Sequence, residues 1–323
     1  MVSSDASFAI ATPIDAPPAR GPRLEGPRRF ARHRAALAGL FVILIFGAMA
    51  LCAPWVDRGG PTAQHLDAPL EGPSSRFWLG TDQLGRDQYS RIVHGARVSL
   101  AVGVFTQAVA LVLGVTVGLA AGLGGRKTDA LLMRLTDVAY AFPDLLMIIL
   151  LVSIFGASVP MLVLAIGLVS WTTIARLVRA QVLALREEEF VLAARALGAS
   201  DFHIARHHLV PNLLGPVIVA ATFGVPAAIF AEAALAFIGL GLPPPAPSWG
   251  RLVTDSFSTM QVAPYLVVSS CMAIALTMMS FSFVGDGLRD ALDPRARARR
   301  PLPQAQPEPS AQRREPAAER KAA

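Results

Sequence analysis

An all-α membrane protein with about six spanning helices and both termini on the cytoplasmic side is the fold class that this sequence predicts. Three observations predict it. Of the 323 residues 53% are hydrophobic and only 16% charged, with a mean hydropathy of +0.49, whereas soluble domains carry about a quarter charged residues. Aliphatic runs of about 20 residues recur, long enough to cross a hydrocarbon core of about 30 Å. Arg and Lys concentrate beside those runs and in two tails, 20–34 and 289–321, as they do on cytoplasmic flanks. The net charge of +6 therefore reports orientation, and no basic face with interleaved aromatics points to nucleic acid.

Residues 1–33 are rich in Pro, Ala, Gly and Arg without apolar periodicity, and predict a disordered basic tail. The first span is expected at 35–55. Ala48, Met49 and Ala50 resemble a signal-peptidase site, so a cleaved signal peptide competes with an uncleaved helix; the long leading tail and the spans that follow favour the latter. A polar segment, 56–96, follows outside, so 34–96 forms one unit: first helix plus external segment. Its Arg58, Arg76, Arg86 and Arg91 run against the charge rule.

The remaining five spans lie in a transmembrane domain over 97–290. The second, 98–123, carries Gly114, Gly118 and Gly122 on one helix face, where small residues let a neighbouring backbone approach. The third, 131–155, contains Pro143, which removes a backbone donor and predicts a kink. The fourth is 161–177, the fifth 211–234 and the sixth 262–284, with a Pro-rich external loop between the last two. Residues 291–323 predict a second, mostly disordered tail. Cys52 and Cys271, far apart in apolar runs, read as small buried hydrophobes.

Between the fourth and fifth spans lies the most informative segment, 189–211. Phe190, Ala193, Ala194 and Leu197 recur at three- and four-residue spacing, which predicts a short amphipathic helix over 187–197. Gly198 suits its C-terminal cap, where a left-handed backbone is free of Cβ strain. Ser200 can cap a second helix over 201–209, and Pro211 fits the opening turn of the next span. Arg195, Arg206, His207 and His208 decorate this pair. The physics leaves open an interfacial helix, a solvated connector, or docking to a partner protein.

Resemblance narrows the choice. Val191-Leu192-Ala193-Ala194-Arg195-Ala196-Leu197-Gly198, ending at Pro211-Asn212, resembles the EAA loop of type I ABC importer permeases. Ala193, Ala194, Gly198 and Pro211 match the motif; Leu192 stands where it usually has Glu, and Val210 where it usually has Leu. Leu79-Gly80-Thr81-Asp82-Gln83-Leu84-Gly85-Arg86-Asp87, Glu232 with Leu235-Ala236-Phe237-Ile238-Gly239-Leu240-Gly241, Pro247-Ser248-Trp249-Gly250, and Gly285-Asp286-Gly287-Leu288-Arg289-Asp290 with Asp293-Pro294-Arg295 resemble the C-type permeases of dipeptide/oligopeptide and nickel transporters. The likeness spans about residues 28–297. It implies the type I permease fold, a bacterial inner-membrane location, and a chain that forms half of a translocation pore. It also implies a second homologous permease subunit, two ATPase subunits that hold the ATP and Mg, and an extracytoplasmic substrate-binding protein. Ala193, Ala194, Arg195, Gly198 and Pro211 would form the ATPase-coupling loop. Peptides are the first expected cargo, with nickel complexes and other small solutes as the alternative.

Six ionisable residues are candidates for a pathway or gate: Asp82, Arg86 and Asp87 outside, and Asp137, Asp144 and Glu232 in or near spans, where burial of charge is costly. For the first three an Arg–carboxylate network is the preferred alternative, and for the others structural pairing is. Asp137 and Asp144 are seven residues apart and would share one helix face. Gly122-Leu123-Gly124-Gly125-Arg126-Lys127-Thr128 lacks phosphate-loop spacing and follows a span instead of a strand. No HExxH pair occurs, so the chain is expected to be no enzyme and to hold no cofactor or metal of its own. An ion-gradient-driven secondary transporter is the rival of another class, but no repeat halves are evident.

Overall fold

The computed structural model describes residues 25–292, and every described element of regular structure is helical. Five helices are long and apolar enough to cross a membrane, and the number is six if a pair bent by 81° counts as one span. The expected tails at 1–24 and 293–323 lie outside the described residues. The N-terminal tail was expected to reach residue 33, yet Glu25–Phe30 forms a short helix, α1. Its Phe30 ring packs against Gly287, so one aromatic supplies the apolar contact that the tail's composition hides.

α2 (Arg34–Leu51) and the single turn α3 (Ala53–Val56) form the first span and its cap. α4 (Gln88–Leu123) begins ten residues earlier than the 98 expected. Asp87 caps it, accepting from the amides of Tyr89 and Ser90 and from the Ser90 hydroxyl, which satisfies donors a helix start leaves free. The 96/97 boundary expected between two units therefore falls inside one helix of about 54 Å.

The third span departs most from expectation. It is broken into α5 (Arg126–Ala141) and α6 (Asp144–Phe155), which meet at 81°. Phe142 has ψ 136°, because Pro143 clashes with a helical conformation at the preceding residue. α5 is amphipathic and carries Arg126, Lys127, Asp129, Arg134 and Asp137; α6 is apolar after Asp144. The break also takes Asp137 and Asp144 off a common helix face.

α7 (Val159–Leu185) runs parallel to α4, with partner positions advancing together along both helices, and makes with it the most extensive packing in the bundle. A Cβ at Gly114 would lie 2.6 Å from Ile174 Cβ, one at Gly118 2.6 Å from Val178 Cβ, and one at Gly122 2.6 Å from Val182 Cγ1. A glycine ridge thus receives a β-branched ridge at the same four-residue spacing, side chain into backbone. α8 (Glu189–Ala196) and α9 (Asp201–Ile204) follow, then a π-helical turn Ala205–Leu209, α10 (Val210–Phe237), α11 (Trp249–Phe257) and α12 (Pro264–Leu292). α11 lies in the segment expected to be a Pro-rich loop; Ser248 caps it by accepting from the Arg251 amide. Cys52 and Cys271 are exposed in this chain. That overturns their reading as buried hydrophobes: apolar runs here have outward faces as well as inward ones.

Candidate functional site

The two short helices form the end of the bundle at which α4 stops. Arg186 donates to the carbonyl of Gly122 at 2.6 Å. Val191, Ile204 and Leu209 are fully buried together with Val178 and Val182. Gly198 has φ +85°. Its amide donates to the Arg195 carbonyl, and the Ala199 amide to that of Ala194, the paired bonds of a Schellman ending. Ser200 accepts from the His203 amide at 3.3 Å. Helix, glycine and cap stand where spacing and capping chemistry predict them.

What lies beyond Gly198 differs. The second short helix does not end before the span: Asp201–Phe237 is one continuous helix. Pro211 has no amide to give, and the backbone adapts by widening, with the Val210 amide reaching the Ala205 carbonyl five residues back. The Asn212 side chain donates to the His208 carbonyl at 2.6 Å. Pro211 stands in the first turn of α10, as expected, although that helix continues the preceding turns without a break.

The loop's outer face is the part that sequence reading missed. Leu197 is 89% exposed, Phe202 75%, Leu192 51% and Phe190 41%, with Ala193 and Gly198 exposed between them. Within α8 only Val191 and, partly, Ala194 face inward. Beside this apolar patch a groove is lined by Leu183, Arg186, Glu187, Leu192 and Arg195. Arg195 approaches Asp201 at 3.4 Å, bridging the two short helices. His203 and His207 stack with ring centroids 4.2 Å apart.

At the opposite end of α4 stands the second cluster. Asp82 Oδ1 accepts from the amides of Leu84 and Arg86, and Oδ2 from Arg86 Nε and Arg91 Nη1, both at 2.6 Å. Arg91 Nη2 donates to Asp255 at 2.8 Å, and Arg251 Nε lies 2.8 Å from the other Asp255 oxygen. Asp87 belongs to the helix cap. Arg251 and Asp255 escaped sequence reading because they lie at least 160 residues along the chain from Arg91 and Asp82. The other cations of this segment are also locally engaged: Arg58 stacks over Trp78, and Arg76 pairs with Asp67, a contact that lowers the Asp67 carboxyl below its usual range.

The three acids of the spans part company. Glu232 is fully buried and accepts from Ser248 Oγ at 2.6 Å and Ser99 Oγ at 3.3 Å, joining α10, α4 and the start of α11. Asp137 pairs with Arg176 at 2.9 Å, and Arg176 also covers the Tyr140 ring. Asp144 is exposed at the start of α6, and among the described residues no hydrogen bond or ion pair reaches it. The structure does not bring the six candidates together.

Residues 114–298 match the family described as binding-protein-dependent transport system inner membrane component. Residues 27–73 match the N-terminal TM domain of oligopeptide transport permease C. The chain belongs to this family, as a multi-pass membrane protein of the C-type branch. It is 42% identical over 286 residues, 88% of its length and 94% of the relative's, to a dipeptide transport system permease protein, DppC, of Alkalihalophilus pseudofirmus. It is 39% identical over 269 residues to the oligopeptide permease OppC of Bacillus subtilis, 83% and 88% of the two chains. The glutathione permease GsiD of Pectobacterium atrosepticum is 40% identical over 281 residues, 86% and 93% of the two chains. An inward-facing MetNI methionine ABC transporter shares the fold at a TM-score of 0.52 and 19% identity, over 62% of this chain and 95% of that one. The type I importer permease fold expected from the loop is the fold found.

Proposed function

We propose that this chain is the C-type permease of an ATP-driven peptide importer and forms half of its translocation pore. The observation that carries the mechanism is the loop Glu189–Pro211, whose outer face leaves Phe190, Leu192, Leu197 and Phe202 without cover in this chain. Exposed apolar patches of this sort mark protein interaction sites. An ATPase subunit is the partner proposed for it, docked over Ala193, Ala194, Arg195 and Gly198. Leu192 faces that partner, so the departure from the usual Glu replaces a polar contact by an apolar one.

In this reading both termini are cytoplasmic and Asp82–Asp255 lies outside. Closure of two ATPases moves the loop, and the movement passes into α10 through the turn Ala205–Leu209. The bundle then exchanges inward- and outward-facing states, a population shift set by differential binding of the partners to each. A second, homologous permease completes the pore, and a binding protein delivers cargo. Peptides are the proposed cargo, after the relatives' names; nickel complexes and small thiol peptides are the alternatives.

Among the candidate acids, Asp144 is assigned to the pathway. An ionised carboxylate facing hydrocarbon costs about 2.5–3.5 kcal/mol, and among the described residues no cation pairs with Asp144 to offset it. Facing an aqueous path between two permeases removes that cost. The test of the whole reading is uptake of a labelled dipeptide by intact cells. Depleting ATP while the proton gradient is held should abolish it; uptake that survives ATP depletion and collapses with the gradient would show a secondary transporter instead.

A further inference from the structure

The cluster around Asp82 has more donors than it can use. Asp82, Gln83, Leu84, Arg86, Arg251, Asp255, Ser256 and Thr259, with Pro244 and Leu266, line a cavity of about 250 Å³. Three guanidinium groups, Arg86, Arg91 and Arg251, meet two carboxylates here, so the local balance is one positive charge. Three of the four carboxylate oxygens are already engaged, and the fourth, Asp255 Oδ1, faces Arg251 Nε at 2.8 Å. Both oxygens of Asp82 take two bonds each, and Asp255 Oδ2 takes Arg91.

The donors are not. Ser256, only 2% exposed, has no hydrogen-bond partner for its hydroxyl, and Arg251 Nε lacks one of adequate alignment despite its nearness to Asp255. Among the described residues no hydrogen bond reaches Nη1 or Nη2 of Arg251, and Arg86 Nη2 has only a 3.8 Å approach to Asp255. A buried hydroxyl or guanidinium left without an acceptor is costly. An anion with two oxygens in a fork would use several of these donors at once. Arg251 is about a quarter exposed and Arg86 about an eighth, so the cavity opens to the surface on their side.

We propose that this cavity binds a carboxylate group, held by Arg251 and Arg86 with Ser256 as a further donor. The group can come from the C-terminus of a cargo peptide or from an acidic side chain of the binding protein. Both sources rest on the transport reading above; the cavity's appetite for a carboxylate does not.

Phenylglyoxal condenses with guanidinium groups, and its attack on Arg251 and Arg86 of the full-length protein in nanodiscs can be followed by mass spectrometry. N-acetylalanine should slow modification of Arg251 several-fold, whereas its neutral amide and sodium chloride at matched ionic strength should not. N-acetylglutamic acid α-amide presents a side-chain carboxylate instead. Stronger protection by it assigns the site to a protein side chain; stronger protection by N-acetylalanine assigns it to a peptide terminus. Ser256→Ala should weaken protection without altering the fold, and Arg251→Gln should abolish protection of Arg86. Equal rates with acid, amide and chloride would overturn the proposal while leaving ATP-dependent uptake untouched.

Discussion

At Gly198 the backbone turns at φ +85° with open space where a Cβ would stand, so the constraint is conformational and not steric. Any L-residue there meets a penalty of about 1–2 kcal/mol, and a charged one also spoils the exposed apolar face beside it. Gly198→Glu is expected to abolish transport and the stimulation of partner ATPase activity, while the protein still inserts and purifies from membranes in normal amounts. Normal coupling in that variant would mean that the loop is not the docking element. The buried Glu232 and the exposed Asp144 should separate just as cleanly. Glu232→Gln weakens its bonds to Ser248 and Ser99 by about 1–3 kcal/mol and should lower the melting temperature by a few degrees at near-normal uptake rates. Asp144→Asn should do the reverse, lowering uptake of labelled peptide without changing the melting curve.

The α4–α7 seam is the element whose packing is most exacting, because Gly118 leaves no room beside Val178 and the Ala175 carbonyl. Gly118→Leu should separate the helices at a cost of at least 1–3 kcal/mol, read as a lower melting temperature in detergent. Adding Val178→Ala should restore part of the loss, and a strictly additive pair would contradict the contact. This seam was legible in the sequence, since three glycines at four-residue spacing mark a face whatever packs on it. The caps of α8 and α9 were legible for the same local reason. The break at Phe142–Pro143 was not, because a proline signals only a distortion, and whether it becomes a kink or an 81° turn depends on what the two halves pack against. The mates of Asp82 and Arg91 were hidden by distance along the chain, and the outward aim of Leu192 and Phe202 by the burial of Val191 and Ile204 beneath them.

For the whole molecule the decisive quantity is orientation. In a variant with Cys52 and Cys271 replaced, Leu66→Cys should react with a membrane-impermeant maleimide in intact cells. Leu197→Cys should react only after the cells are opened. Both positions are well exposed in the chain, so the reversed pattern would invert the assignment of the loop to the cytoplasm and of the Asp82 cavity to the outside. With α4 about 54 Å long, those two clusters are held at opposite ends of one rod. Whatever occupies the Asp82 cavity and whatever grips the loop therefore act on the same helix, although they never meet.

The unbroken run from Asp201 to Phe237 has a consequence for the chain's angular phase. Each residue added to a helix turns everything beyond it by about 100°, so the azimuth of α10 is set by the number of residues between Ser200 and the hydrophobic core. The wide turn at Ala205–Leu209 is the one place where an extra residue is absorbed without passing that rotation on. Loop and span are thus geared together with a single compensating tooth. A loop grafted from a relative can keep its chemistry and still be mute if it arrives one residue out of phase.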